Sequence, residues 1–352
     1  MEEAKGGLRM NKKRFLVAVG MVVTLVTSSG AIIALPSERG EGYKLVANGI
    51  EKEMLLALPS ADECNLIPLR LALEEIGARD IKWETSTSEW LKGKITITLD
   101  NYFTSAQRRN LKRALLTENP YWHTKLPEAV TTLLASEEEN NEETEGCSLK
   151  QKRGIEIEII SDGYTTGSIA YNYEIRDDKL YVPSSFFKNI GIDGVTVDQE
   201  NKKVILHSYS KEEIQGEVES IWSALHTSDS EELLGLWIRG QQLRSGALQY
   251  ATLSDALKEK VLPEIKERGW VTGGSSPTLR GGKVTILKKE EISEQEVSYT
   301  VTYESLLQGE VYETLEQTIT MIKHEENDKS YWEITNVEGD VGYYTYEYIS
   351  KS

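Results

Sequence analysis

Apolar and polar residues follow the same order twice in the first part of the chain. In the first copy, Ile67-Pro68 precedes a run with an apolar face from Leu69 to Ile76, and Gly77 follows. Proline favours the first turn of a helix and glycine follows its end, so this run is predicted to be a short helix. The alternating stretch Lys94 to Leu99 then predicts a strand.

The second copy has the same parts in the same order. They are Val182-Pro183, Ser184 to Ile190, Gly191, Val195 to Asp198 and Lys203 to Leu206. A unit that recurs along a chain determines the fold prediction. We therefore expect two β-helix-β repeats, at residues 43–101 and 154–210, with an insertion at 102–153 between them.

Each copy begins with a predicted hairpin. Asn48-Gly49 and Asp162-Gly163 stand between strand-like segments, and both dipeptides favour the turn that connects two antiparallel strands. The insertion contains two helical runs, Ser105 to Leu116 and Pro127 to Ala135, and then the acidic run Glu137 to Glu145. Like charges without apolar residues repel one another, so we expect the acidic run to be a mobile surface loop.

The last part of the chain, residues 211–352, changes from helical to strand periodicity. The predicted helices are Glu213 to Leu225, Leu233 to Trp237 and Ser254 to Arg268. The predicted strands are Lys283 to Leu287, Glu296 to Ser305, Tyr312 to His324, Tyr331 to Val337 and Tyr343 to Ile349. Helices followed by a meander of strands indicate an α+β domain with the helices on one face of a curved antiparallel sheet. Pro263 lacks a backbone N–H, so it is expected to kink or split its helix.

The N-terminus has the pattern of a secretory signal. Three basic residues at 12–14 precede the apolar stretch Phe15 to Val26, and small residues follow. Residues 1–34 are therefore predicted to be a signal peptide, cleaved after Ala31 or Ala34. The alternative is an uncleaved anchor that begins with the same apolar stretch and is long enough to span a bilayer. Both alternatives place the rest of the chain in the extracellular space or the cell envelope.

The composition limits the partners and the redox chemistry. The 352 residues carry a net charge of −17, which argues against a nucleic-acid partner because phosphate backbones are bound by clustered Lys and Arg. The two cysteines, Cys64 and Cys147, permit one disulfide bond in an oxidising compartment, and two free thiols are the alternative. No Cys-x-x-Cys pair is present, so zinc and thiol-redox sites have no support.

The repeated unit also contains other characteristic residues. The first copy combines Asn48-Gly49, Ile67 to Arg70, Glu75 to Ala78, Trp83 and Lys94 to Leu99. In this combination the unit resembles the stalk-type domain that is named after the N-terminal region of copper amine oxidases and is common in secreted proteins of Gram-positive bacteria. The second copy keeps Val182-Pro183 and Ile190-Gly191 but has Ser185 where the family usually has arginine. The resemblance implies an extracellular spacer or attachment module without catalytic residues.

The name of that family does not imply copper here. Asn172-Tyr173-Glu174 fits the short sequence in which amine oxidases convert a tyrosine into their cofactor. Such an enzyme also needs three histidines gathered on copper. The four histidines of this chain, at positions 123, 207, 226 and 324, are far apart in the sequence. We therefore predict neither a metal nor another cofactor.

The C-terminal region combines an amphipathic opening helix containing Ile221-Trp222, a long helix before Gly269, and paired long strands. In this order of elements it resembles the NTF2-like α+β cone, whose members have a pocket between sheet and helices. Catalytic members place acidic, histidine and tyrosine side chains in that pocket, where burial shifts their pKa values toward neutrality. The residues that could face such a pocket are Tyr250, Asp255, Tyr299, Tyr303, Glu316 and His324.

Together these patterns predict a secreted or envelope-tethered bacterial protein, with two stalk-like repeats followed by an NTF2-like domain. We expect a non-enzymatic binding or spacer role, with a cell-wall polymer or another envelope protein as partner. The alternative is an enzyme or small-ligand binder that uses the C-terminal pocket. Convergence of Asp, His and Tyr side chains there would favour the alternative, whereas a space filled by Trp222, Leu257 and Ile334 would favour the scaffold.

Overall fold

The computed structural model describes residues 43–56, 66–118, 126, 128–135, 151–176, 178–198, 200–326 and 329–339. Within these residues, helices and strands form a mixed α+β fold with four open sheets, which confirms the predicted α+β class. Several expectations lie outside the described residues: the N-terminal segment 1–34, Cys64, Cys147, the acidic run and the strand expected at Tyr343 to Ile349.

The described elements alternate between short strands and helices before the final long meander. The strands are β1 (Tyr43–Ala47), β2 (Ile50–Leu56), β3 (Leu66–Pro68), β4 (Arg79–Thr85), β5 (Leu91–Thr98), β6 (Gly154–Ser161), β7 (Tyr164–Ala170), β8 (Glu174–Arg176), β9 (Lys179–Pro183), β10 (Val195–Asp198), β11 (Lys203–Leu206), β12 (Val284–Ser293), β13 (Glu296–Leu307), β14 (Glu310–Glu326) and β15 (Lys329–Gly339). The helices are α1 (Leu69–Glu75), α2 (Tyr102–Leu116), α3 (Glu128–Ala135), α4 (Ser184–Asn189), α5 (Lys211–Leu225), α6 (Ser230–Gln242), α7 (Gly246–Thr252) and α8 (Asp255–Glu267).

The two predicted copies exchange their hairpins. The β1–β2 hairpin of the first copy joins β10 and β11 of the second, in the order β10-β11-β1-β2. The β6–β7 hairpin of the second copy joins β4 and β5 of the first, in the order β4-β5-β6-β7. Both joining ladders are parallel, with Leu45 opposite Val204 and Ile95 opposite Ile157. Each sheet therefore needs strands from both copies.

The apolar-Pro steps of the two copies meet at the centre of this arrangement. Strands β3 and β9 pair antiparallel, with Ile67 opposite Val182, and the helices α1 and α4 follow them directly. One cluster of buried apolar side chains contains residues of both copies, including Leu73, Ile97 and Phe187. We call the unit formed by β1–β11, α1 and α4 the strand-exchanged module.

The predicted hairpin turns are present at both positions. Asn48 and Gly49 have φ angles of 47° and 78°, and Asp162 and Gly163 have φ angles of 49° and 80°. A two-residue turn with positive φ at both positions matches the twist of the flanking strands, and Asn-Gly and Asp-Gly tolerate it best. These turns therefore explain why each copy starts with a tight antiparallel pair.

The C-terminal part, residues 211–339, places α5 to α8 against a four-stranded antiparallel sheet in the order β12-β13-β14-β15. Alternate residues of β13, from Val297 to Tyr303, are buried under the helices. The short helix α7 was not predicted. Helix α8 runs unbroken through Pro263, which therefore does not split it. Pro263 and Glu259, whose carbonyl loses its donor, both lie on the exposed side of the helix, where water can replace the missing bond.

The helices of the insertion complete the core of the C-terminal part. Leu111 and Leu115 of α2 and Val130 of α3 belong to the same buried cluster as the helices α5 to α8. The buried guanidinium of Arg239 donates hydrogen bonds to the carbonyls of Ala114 at 2.7 Å and Leu115 at 3.0 Å. These carbonyls end α2 and have no helical partner of their own, so Arg239 caps the helix.

An ion cluster connects α2, the strand-exchanged module and α5. Arg108 donates to Asp193 at 2.7 Å and to Glu217 at 2.8 Å, and Arg109 donates to Asp193 at 3.0 Å. Lys112 adds a further contact to Glu217. Because Arg108 is largely buried and contacts both carboxylates, the cluster forms the polar centre of this junction.

Candidate binding cleft

A cleft with a volume of about 210 Å³ opens where α2, α5 and α8 meet the turn between β6 and β7. Its aromatic lining consists of Phe103, Trp222, Tyr250 and Trp270, and its polar and charged lining of Thr104, Gln107, Asp162, Lys211, Gln215, Glu219 and Lys266. An apolar floor with a few polar groups at its edge is typical of ligand sites. The cleft is therefore our candidate functional site.

Helix spacing brings the lining residues to one side. Val218 and Trp222 are four residues apart on α5, so they lie one above the other on the same face. Helix α5 starts at Ser210, whose hydroxyl accepts from the Glu213 N–H at 3.1 Å while the Glu213 carboxylate accepts from the Ser210 N–H at 2.7 Å. This capping box fixes the first turn of α5 and with it the position of Lys211 at the edge of the cleft.

Tyr250 is central to the aromatic floor. Its ring centroid is 5.4 Å from that of Trp222 and 5.5 Å from that of Trp270, which is the range of favourable aromatic pairs. Burial, together with the negative charges of Asp255 and Glu259, raises the pKa of the Tyr250 hydroxyl. The hydroxyl therefore remains protonated and neutral around pH 7.

Trp222 carries an unmet hydrogen-bond donor. Its indole nitrogen is shielded from solvent and has no acceptor among the described residues. A shielded donor without an acceptor is unfavourable by about 1–3 kcal/mol. The ammonium of Lys258 lies 5.6 Å from the centre of the Trp222 ring, within the range of a cation–π contact. An acceptor that reached this indole would be bound favourably.

Trp270 has an unusual backbone conformation. Its φ angle of 66° lies in the left-handed region, which a bulky residue rarely adopts and which costs about 1–2 kcal/mol. Its N–H donates to the Ile265 carbonyl at 3.1 Å, and its carbonyl accepts from the Gly246 N–H at 2.9 Å. Its indole N–H donates to the Phe103 carbonyl at 2.8 Å. Backbone strain of this kind concentrates at functional sites, which favours the cleft.

The edge of the cleft has charges of both signs. The ammonium of Lys211 donates to both carboxylate oxygens of Asp162, at 2.9 and 3.0 Å. The ammonium of Lys266 lies 5.4 Å from the centre of the Tyr164 ring. Glu219 supplies a second carboxylate. The edge therefore has no strong excess of one charge, which suits a neutral ligand better than an ionic one.

Two of the predicted pocket residues are part of the core. Tyr299 and Tyr303 are 1% and 0% exposed, and burial raises the pKa of Tyr303 far above its ordinary value. The Tyr299 hydroxyl lies 2.8 Å from the Ser230 hydroxyl. The Tyr303 hydroxyl donates to the side-chain carbonyl of Gln317 at 3.1 Å. Neither tyrosine belongs to the lining of the cleft.

The other predicted pocket residues do not share one cavity, although the charge of Asp255 acts on Tyr250 and, with that of His324, on Glu333. Asp255 is the first residue of α8 and is almost fully exposed, 3.5 Å from the Lys258 ammonium. His324 lies 3.2 Å from Glu333, and Glu316 is exposed on the same strand, β14. Of the predicted residues, Tyr250 lines the cleft. The structure therefore places Tyr250 in the cleft and leaves Asp255, His324 and Glu316 outside its lining.

Sequence reasoning missed most of the cleft. Phe103, Trp222 and Trp270 come from three distant parts of the chain, and only packing of α2, α5 and α8 brings them together. A local signal was available at Trp222, which lies one position beyond the buried stripe of α5 that includes Val218 and Ile221. A large aromatic residue at the border of an apolar stripe is a candidate for partial exposure.

Neither a protein-family model, nor a curated protein, nor a solved structure matches the chain. The geometry of the cleft is therefore the basis for its interpretation. In the described part of the chain, no group of three or more His, Cys, Asp or Glu side chains is arranged to hold a metal ion. The same part contains no helix that is long and apolar enough to cross a membrane.

Proposed function

We propose that this chain is a non-enzymatic binding protein of the cell envelope. In this proposal, residues 1–34 direct or tether the chain, the strand-exchanged module is a stiff spacer, and the cleft is the binding site. The doubled β-helix-β unit supports a stalk-like assignment. The helices on one face of an antiparallel meander support an NTF2-like assignment for residues 211–339.

One observation carries the proposal: the space between helices and sheet is filled by side chains that bond to one another. Gln317, Tyr303 and Trp237 are fully buried, and the side-chain carbonyl of Gln317 accepts from the Trp237 indole N–H at 2.9 Å. Leu257 and Ile334 are buried in the same core, whereas Trp222, the third side chain expected to fill this space, is partly buried and lines the cleft. An enzymatic pocket needs accessible groups, so the filled space favours binding elsewhere.

The chemistry of the cleft also favours binding over catalysis. A general acid or base works best with a pKa near the operating pH. Burial moves the pKa of Tyr250 away from neutrality, and the carboxylate of Asp162 is already paired with Lys211. Aromatic rings and paired charges can hold a ligand in place, whereas Tyr250 and Asp162 are poorly suited to proton transfer.

The decisive experiment is co-sedimentation of the purified chain with isolated Gram-positive cell walls. We expect the wild-type chain to be retained and Trp222→Ala to be retained at least about tenfold less, the scale of a lost aromatic contact. Tyr312→Ala is the matched control, because Tyr312 is 60% exposed on the β13–β14 hairpin, outside the cleft lining. Point variants are preferable to a deletion of 211–352, which would expose the buried face of α2.

The possible outcomes distinguish an error in the proposed wall-binding role from an error in the choice of the cleft as the binding site. If the walls do not retain the wild-type chain, the wall-binding role is wrong. If Trp222→Ala is retained as well as the wild type, the role stands and the cleft is not the site. Equal losses in Trp222→Ala and Tyr312→Ala would indicate a nonspecific aromatic effect and would also exclude the cleft.

A further inference from the structure

The strand-exchanged module presents a tryptophan to solvent in an unusual way. Trp90 is 75% exposed and precedes β5 at one end of the sheet β4-β5-β6-β7. Burying a large aromatic side chain is strongly favourable, so a tryptophan left mostly in water is informative when its surroundings are ordered around it.

The loop that carries Trp90 is held by many hydrogen bonds. The Arg153 guanidinium donates to the carbonyls of Ser86, at 3.3 Å, and of Ser88 and Leu91. The Ser88 N–H donates to the Ser86 hydroxyl at 3.1 Å, and the Trp90 N–H donates to the Ser88 hydroxyl at 3.2 Å. A loop fixed in this way loses little conformational entropy when a ligand binds.

A second aromatic residue flanks the same point of the sheet. The Gly154 N–H donates to the Trp90 carbonyl at 2.8 Å. A Cβ atom at Gly154 would lie 2.5 Å from a methyl carbon of Ile169 and 3.1 Å from the ring of Tyr171. The absence of a side chain thus lets Ile169 and Tyr171 lie close over the sheet, where they are 51% and 39% exposed.

The neighbouring strand repeats this arrangement. A Cβ atom at Gly93 would lie 2.4 Å from the ring of Trp83, so the Trp83 ring occupies the space beside Gly93 while it remains 42% exposed. Trp83 pairs with Ile95, whereas Ile169 pairs with Glu156. Ile95 lies on the core face of the sheet and Glu156 on the opposite face. Trp83 therefore lies on the core face, and Ile169 and Tyr171, which are two residues apart, lie on the opposite face. This end of the sheet thus has an exposed aromatic ring on each face.

The size of the aromatic surface indicates the kind of ligand. An aromatic side chain has about 150–250 Å² of surface, so Trp90 and Tyr171 together expose roughly 250 Å². A stable protein–protein interface needs about 800 Å² from each partner. The exposed aromatic rings supply well under half of that area, which favours a narrow chain of rings over a protein partner or a second copy of the chain.

The charges around the surface indicate a neutral ligand. The nearby charges are of both signs: Glu89, Lys92 and Lys152 are exposed, and Glu156, opposite Ile169, lies on the same face as the Lys94–Glu158 pair. One guanidinium nitrogen of Arg153 is held by backbone carbonyls. A flat aromatic ring binds the C–H face of a sugar ring through dispersion and weak C–H contacts, which need no charge.

We propose that Trp90, Tyr171 and Ile169 form a binding surface for a neutral polysaccharide chain. This site is distinct from the cleft, and its argument does not depend on the proposed function. The strand exchange builds it, because Trp90 comes from the first copy and Tyr171 and Ile169 from the second. A chain of sugar rings would stack on Trp90 and continue across Tyr171.

Affinity gel electrophoresis of the purified chain tests this site. The probes are a soluble β-glucan, a glucomannan, a xylan and glycol chitin. We expect at least one probe to retard the wild-type chain, and Trp90→Ala to weaken that retardation at least about tenfold, as for a central aromatic contact. Trp222→Ala and Tyr312→Ala should migrate as the wild type does. Circular dichroism of Trp90→Ala should match the wild type, because the side chain is mostly in solvent.

Several outcomes would overturn the proposal. They are no retardation by any of the four probes, retardation of Trp90→Ala equal to that of the wild type, or loss of retardation between about 50 mM and 500 mM salt, a range that screens charge contacts. A concentration-dependent sedimentation coefficient that Trp90→Ala abolishes would assign the surface to self-association instead. Failure of this test leaves wall binding through the cleft unaffected, because Trp222→Ala reports on that site.

Discussion

The cores of the two parts of the molecule contain different kinds of side chains. Among the described residues of the strand-exchanged module, Ser161 is the one buried polar side chain, and the rest of the core is apolar. The described residues from 211 onwards bury many more polar side chains: Thr227, Ser230, Arg239, Gln241, Gln242, Ser245, Gln249, Thr252, Glu264, Thr272, Ser305 and Gln317. The hydrophobic effect does not depend on how the buried side chains are oriented, whereas a buried hydrogen bond requires a particular distance and angle between donor and acceptor.

The difference shows how each part specifies its structure. In the module, backbone ladders such as the β1–β11 and β5–β6 pairs fix the arrangement, and side chains need only fill the space. In the C-terminal part, side chains such as Arg239 and Gln317 bond to particular partners and so define how helices and sheet dock. The first part should tolerate conservative core changes, and the second should not.

Gln317→Leu should have the largest effect on the free energy of unfolding. Its side-chain carbonyl accepts from Trp237 at 2.9 Å, Tyr303 at 3.1 Å and Gln241 at 3.2 Å. Leucine would leave three buried donors without an acceptor, each unfavourable by about 1–3 kcal/mol. It would also remove the shielded Gln317 amide nitrogen, which has no acceptor among the described residues, so we expect a net loss of about 3 kcal/mol in urea denaturation. Thr318→Val, on the opposite face of the same strand, is the control and should stay within about 0.5 kcal/mol. A loss below about 1 kcal/mol would contradict the role of Gln317.

Arg108→Gln should loosen the junction by about 2 kcal/mol. Breaking a fully buried ion pair costs about 3–5 kcal/mol, but Asp193 and Glu217 each keep a second cation, Arg109 and Lys112. We expect the unfolding curves followed by tryptophan emission and by circular dichroism to separate, because the two parts would no longer unfold together. Arg70→Gln removes an exposed pair and should change stability by less than about 0.5 kcal/mol. Coincident curves for Arg108→Gln would show that the cluster does not couple the parts.

Ile67→Val tests the tolerance of the apolar core. Ile67 is 0% exposed at the centre of the β3–β9 pair, and removal of one methylene from such a site costs about 1 kcal/mol. Ile50→Val is the control, because Ile50 is 67% exposed and should give almost no change. A loss above about 3 kcal/mol for Ile67→Val, measured by urea denaturation, would remove the contrast with Gln317.

Two carboxyl groups should give pH effects of opposite sign. Burial opposes the ionisation of Glu217, but hydrogen bonds from Lys112 and Arg108 outweigh it and hold its pKa below the ordinary value. Its stabilisation is present above the unfolded pKa of about 4.3 and is lost as the pH falls through the folded pKa. Burial raises the pKa of Glu333, against the opposing charges of Lys258 and His324. At low pH the protonated carboxyl of Glu333 adds to the stability of the folded protein, and this stabilisation is lost as the pH rises through the folded pKa.

Glutamine variants make this pH contrast measurable. At pH 7, Glu217→Gln should be less stable than the wild type and Glu333→Gln more stable. The Glu333 difference should shrink as the pH falls from the raised folded pKa to the unfolded pKa of about 4.3, and the Glu217 difference should shrink below that value, as the pH falls through its lowered folded pKa. Denaturant midpoints of the three proteins across this range provide the measurement. Differences of the same sign for the two variants would refute the assignment.

The elements of the fold were largely predictable, but their partners were not. The alternation of Ile155, Ile157 and Ile159 predicts one buried face, and all three side chains are buried. Alternation is the same whichever strand lies alongside, so it could not show that Ile157 would face Ile95 of the other copy. Helix α7 was missed because its seven residues start at Gly246 and include Thr252, and tertiary packing overrides their weak helical preference.

The candidate site was less predictable than the fold. Tyr299 and Tyr303 were predicted to share a face of one strand, and they do. Whether that face is core or cavity depends on what packs against it, here Ser230 and Gln317, and a strand pattern does not contain that information. The stalk-like and NTF2-like assignments, the signal peptide and the envelope location remain predictions.

The exchange of hairpins has a mechanical consequence. Strand β1 begins at Tyr43, and β11, its parallel neighbour, ends at Leu206 and leads into α5. Tension applied between the N-terminal side of Tyr43 and the C-terminal side of Leu206 would pull the two strands along their length in opposite directions. The hydrogen bonds of a ladder sheared in this way resist together, whereas those of a hairpin pulled apart at its open end break one after another. A tether running through this chain would thus load the β1–β11 ladder in shear.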